Sequence, residues 1–174
     1  QRQTVRLTVV PNAQLDDGMY WSRIKTISNP QSPPVEEAAA GQINPQITVR
    51  FEQVTTLFYK VGEPATGLEL NNLSVWSADN QAVALAELKL LGNAPYLGSM
   101  NLSVYNTDRE VVLEDKVFVS VYQDGVRRLD FNHGDLAPGE YIAEITFITS
   151  RNDVSSQHII PAPVVTGETR FTVQ

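Results

Sequence analysis

The stretch QLDDGMYWSRIKTIS, Gln14 to Ser28, returns in altered form as DLAPGEYIAEITFITS, Asp135 to Ser150. At an offset of 121, Leu15 matches Leu136, Gly18 matches Gly139 and Tyr20 matches Tyr141. Ile24 and Ile27 then match Ile145 and Ile148. The shared pattern is L-x-x-G-x-Y followed by alternating apolar residues. That is the form of a tyrosine corner in a Greek-key sandwich, where the Tyr hydroxyl bonds back to the chain just upstream. The Gly is expected to let the chain turn into the strand, and the Leu to plug the bottom of the core. A second pair follows each corner. Val49-Arg50-Phe51 in TVRFEQV aligns with Thr169-Arg170-Phe171 in ETRFTVQ, at an offset of 120. Each copy is therefore a corner strand, a long loop and a closing strand, the F and G strands of an immunoglobulin-like domain.

Between the copies, short segments rich in β-branched and aromatic residues are punctuated by turn signals at Asp79-Asn80, Gly92-Asn93 and Asp124-Gly125. VALAELKLL, Val83 to Leu91, has helical propensity, but its neighbours favour a strand. Tyr122 to Val126, built around Asp-Gly, has the chemistry of a tight hairpin. With F and G added, residues 62–174 make about seven strands, a complete sandwich. The first copy lacks that room, because only fourteen residues precede Leu15. QTVRLTVVPN, Gln3 to Asn12, supplies one strand, E. The expectation is an all-β chain of tandem immunoglobulin-like Greek-key β-sandwiches, the first partial, over residues 1–61, and the second complete, over residues 62–174. The first would be a piece of a longer chain or would take its missing strands from another, since three strands with an open apolar face are marginal alone.

Charge divides at the same place. Residues 1–61 carry +1 and residues 62–174 carry −8, for a net charge of −7. No basic stripe of the kind a nucleic-acid binder needs is present. No apolar run approaches the roughly 18 residues of a membrane span, and no basic and apolar leader opens the sequence. Cysteine is absent, which excludes disulfides, thiolate metal sites and a cysteine nucleophile.

Residues 3–61 resemble the PapD-like periplasmic chaperones of pilus assembly. QTVRLTVVPNAQLDDGMYWSRIKTIS is similar to that family's strand leading into an acidic corner and an aromatic strand F. NPQSPPVEEAAAGQINPQ stands where the family has a long F–G loop. ITVRFEQVTTLFYKVG is similar to its strand G, with Leu57-Phe58-Tyr59-Lys60 before the second domain. The resemblance implies that alternating apolar residues of strand G, here Ile47, Val49 and Phe51, complete the fold of a partner subunit by strand pairing. The residues themselves alternate strictly from Ile47 to Glu52, so those three share one face, and an exposed edge invites a partner strand. The same alternation also suits a strand facing its own core. One departure weighs against pilin capture. The resemblance places a Lys at the position of Thr56, and a neutral Thr gives no charge-assisted bond to a terminal carboxylate.

Chemistry for catalysis is not evident, and no cofactor or metal is implied. His133 and His158 lack metal-ligand spacing and read as surface loop histidines. Asp16-Asp17, Glu36-Glu37 and Glu114-Asp115 are adjacent pairs, and adjacent strand positions point to opposite faces. Trp21 and Trp76 read as packing residues. Asn72 and Asn101 give formal N-x-S matches without weight. The expectation is a non-enzymatic periplasmic or cell-envelope protein that binds another protein chain. The alternatives are a structural or adhesive tandem, whose terminal strand VVTGETRFTVQ is exchanged between copies, and an enzyme or carbohydrate-binding module on the same fold.

Overall fold

The computed structural model describes residues 4, 6–10, 14–28 and 50–174. Ile47 and Val49 lie outside the described residues. The chain is all-β. Its strands are β1 (Gly18–Ser28), β2 (Phe51–Val61), β3 (Thr66–Ala78), β4 (Gln81–Gly92), β5 (Tyr96–Tyr105), β6 (Val111–Val121), β7 (Gly125–Asn132), β8 (Gly139–Ile148) and β9 (Val165–Val173). The one helical element among the described residues is a 3-10 turn, Ser156–His158. Two units divide the chain, residues 20–59 and residues 1–19 with 60–174.

The larger unit holds two sheets, ordered β3-β4-β7 and β6-β5-β8-β9, with every strand pair of known register antiparallel. Period-two alternation places one set of side chains between the sheets. From one sheet come Leu68, Ala82, Ala84, Ala86, Leu88, Leu129 and Phe131, all buried. The facing sheet contributes Met100, Leu102, Val104, Val119, Val121, Ala143, Ile145, Phe147, Phe171 and Val173. The alanines of β4 prefer helix in isolation. Here their methyls form a shallow floor that accepts the larger side chains of β5 and β8, and burial outweighs propensity.

Asp124-Gly125 does not close a hairpin. β6 pairs with β5, and β7 pairs with β4 in the other sheet, so the turn carries the chain across the sandwich. Gly125 supplies the positive φ, 151°, that the Asp-Gly signal promised. Partner choice came instead from burial. Val119 and Val121 fill the core from one side, Leu129 and Phe131 from the other, and Asp124 Oδ1 accepts a hydrogen bond from the Leu90 amide, 2.8 Å away.

The flank formed by β3 and β9 is closed. Ser77 Oγ donates to the Thr172 carbonyl at 2.6 Å, and a Cβ built on Gly167 would meet Leu70 and Leu73. The two strands thus run side by side in the same direction. β3 carries a bulge between Leu70 and Asn72.

β1 and β2 form a two-stranded sheet. Arg23 lies over the Trp21 ring at 6.0 Å, and Glu52 pairs with both Lys25 and Arg50. Alternation puts Trp21, Arg23, Lys25 and Ile27 on one face of β1 and Tyr20 and Ile24 on the other.

Candidate functional site

The repeat sets up a comparison within one molecule. In the second copy, Tyr141 Oη donates to the Ala137 carbonyl at 2.9 Å. Its ring lies 5.9 Å from that of Phe171, which in turn meets Phe131 edge-on at 6.1 Å. Leu136 packs against the same core, and Phe171 is 5% exposed. In the first copy, the matching Phe51 is 65% exposed and Tyr20 40%. Ile145 is fully buried, whereas its counterpart Ile24 is half-buried; Ile27, matching the half-buried Ile148, is exposed. Val54, Leu57 and Trp21 are exposed as well. The contrast is sharpest at Phe171 and Phe51, whereas Leu15 and Leu136 are both half-buried. The two sheets of the larger unit cover Phe171 and Ile145, whereas Phe51 remains exposed.

The two corner glycines differ from each other and from the turn expectation. Neither has positive φ; the glycines that do, among the described residues, are Gly62, Gly92 and Gly125. Gly18 is needed for close approach, because a Cβ there would lie 2.9 Å from the Asn93 carbonyl oxygen. Asn93 accepts from the Met19 amide at 3.1 Å and donates its side-chain amide to the Asp17 carbonyl at 2.7 Å. Its Oδ1 accepts from the Ala65 amide at 2.8 Å. Gly139 meets nothing nearer than 3.9 Å.

Thr56 is half-buried in β2, the strand that begins at Phe51. β9, offered above as an exchanged strand, pairs with β8 of its own chain over nine residue pairs and buries Phe171 and Val173. His133 is not a surface residue. It is 2% exposed, its amide donates to the Asn80 carbonyl, and neither ring nitrogen has a hydrogen-bond partner. The return from β7 to β8 folds it under the sheet end, which the turn residues around it disguised. His158 is half-buried in the 3-10 turn. Among the described residues no cluster of His, Asp or Glu is arranged to hold a metal ion, and no helix is long and apolar enough to cross a membrane.

Arg151 organises the loop between β8 and β9. Its side chain is 8% exposed. It grips Asp153 with two bonds of 2.6 and 2.7 Å, donates to the Val119 carbonyl and Ser120 Oγ at 2.9 Å each, and stacks 5.4 Å from the Phe118 ring. The hydrogen bonds from Arg151 hold the Asp153 carboxyl below its usual range. Arg128 does the same for Asp130. In both cases an R-x-D spacing on one strand or turn was the available signal.

Comparison of the chain with protein-family models, with curated proteins and with solved structures returned no match.

Proposed function

We propose that this chain is a chaperone-like or envelope-assembly protein of the bacterial periplasm or cell envelope, acting without catalysis by pairing a β-strand with another protein chain. The observation that supports this reading is the contrast between Phe171 at 5% exposure and Phe51 at 65%. Fully burying a side chain of this size is worth about 1.5–3 kcal/mol. Ile27, Phe51, Val54 and Leu57 leave much of that stabilisation unrealised on a ribbon that, among the described residues, consists of two strands. A partner strand beside β2 adds ladder hydrogen bonds and covers alternate side chains. Ile47, Val49 and Phe51 are the donor-strand positions of this reading. Thr56 separates it from capture of a terminal carboxylate, so the partner is held through its strand.

The test uses synthetic strand-length peptides of alternating valine and threonine, with Trp21 emission followed in a Trp76→Phe background. Saturable binding with a blue shift is expected. Val49→Asp should abolish it and leave the melting of the larger unit unchanged. Absence of peptide binding, or unfolding of the whole chain by Val49→Asp, defeats the proposal.

A further inference from the structure

On one flank of the larger unit β3 and β9 lie side by side, so the free sheet edges are β6 and β7 on the other flank. Folded proteins commonly blunt such edges with charge. On β7, Arg128 and Asp130 hold each other, and Leu129 and Phe131 lie in the core. β6 is guarded at its far end, where Arg151 donates to the Val119 carbonyl and Ser120 Oγ. From Val112 to Phe118, no strand among the described residues pairs with its outer edge. Val112 and Phe118 are 38% and 43% exposed. Glu114 has no ion pair among the described residues, and Lys116 Nζ rests 5.7 Å from its own Phe118 ring.

Read backwards, the stretch VLEDKVF, Val112 to Phe118, is close to its own complement. Antiparallel pairing with a second β6, about a two-fold axis at Asp115, sets Glu114 against Lys116, Leu113 against Val117 and Val112 against Phe118. The axis repeats each pair. Alternation places Val112, Glu114, Lys116 and Phe118 on the outward face and Leu113, Asp115 and Val117 on the other. Leu113 and Val117 are half-buried and already pack on the core, so their cross-axis pairs extend that core sideways. Neighbouring registers lose this match. An axis at Lys116 opposes Lys116 to itself and Glu114 to Phe118, and an axis at Glu114 opposes Glu114 to itself and Val112 to Lys116. The adverse contact is Asp115 against its own copy. Opposite charges facing across strands attract and like charges repel, and here two attractive pairs stand against one repulsive pair. Asp115 Oδ1 also accepts from the Lys116 amide at 2.6 Å.

We propose that β6 is an interface for a second copy of this chain, forming a two-fold dimer in which two four-stranded sheets join edge to edge. The Glu114–Lys116 pairs set the register, and the apolar residues on either side of them supply the buried contact. The interface lies wholly within the larger unit and is independent of strand pairing by β2.

Sedimentation velocity of the whole chain over a concentration series should show a monomer–dimer equilibrium that weakens as salt is added. Glu114→Lys and Lys116→Glu should each weaken the dimer about tenfold, because both cross-axis pairs turn repulsive at once, with unchanged melting. Mixing the two variants should restore association as a heterodimer, since each altered strand then meets its opposite. Asp115→Asn should tighten the dimer. A chain that stays monomeric at millimolar concentration overturns the proposal. So does a dimer that both charge reversals leave intact, which places the contact on another edge, or one that the mixture fails to restore. If the β6 amide resonances respond to the valine–threonine peptides while the chain stays monomeric, that edge takes another protein and the proposal falls.

Discussion

Tyr96 is the residue whose environment is most out of keeping with its chemistry. It is fully buried, its hydroxyl has no partner, and burial pushes its pKa up to about 12 from an ordinary 10.0. An unsatisfied buried hydroxyl costs about 1–3 kcal/mol, so Tyr96→Phe should leave stability unchanged or raise it by up to about 1 kcal/mol in urea unfolding. The sign of the pH effect follows from the raised pKa. The unfolded chain releases this proton first, so stability should fall as pH rises from about 10 to about 12, and Tyr96→Phe should remove that part of the decline. Two residues along, Gly98 has no such latitude. A Cβ there would overlap the Ile148 carbonyl oxygen and crowd the Tyr96 ring. Gly98→Ala should cost about 1–3 kcal/mol, read as a lower denaturant midpoint with an unchanged slope.

At the level of strands, the repeated closing strand predicts two different outcomes for one substitution. Phe171→Ala removes a ring from the core and should destabilise by about 3–5 kcal/mol. Phe51→Ala, at an exposed position, should stay within about 0.5 kcal/mol. Thermal melting of both variants measures the difference, and equal losses would mean that Phe51 has a core of its own. The strands themselves were legible. The alternation of LELNNLSVWS, NLSVY and EYIAEITFI survives as inward and outward faces, and VALAELKLL is a strand in spite of its alanines. Pairing was not legible at Asp124-Gly125, because a turn motif specifies backbone dihedrals and says nothing of which sheet receives the next strand.

For the molecule as a whole, the charge step near residue 61 and the repeat pointed to parts 1–61 and 62–174, whereas the two compact units have other bounds, residues 20–59 and residues 1–19 with 60–174. The core cluster draws only on residues between Leu68 and Val173. A fragment spanning residues 60–174 should therefore fold alone, with a cooperative transition and dispersed amide resonances, whereas a fragment spanning residues 14–60 should not. The long contacts that join the two sheets cannot be read from local sequence, which is why His133 had the signature of a loop and the burial of a core residue. A further property follows from β3 and β9 lying side by side and pointing the same way. Tension applied between Thr66 and the end of β9 would draw these neighbours lengthwise past each other. The nine pairs of the β8–β9 ladder would then be loaded together in shear, so that rupture under force must break them as a set.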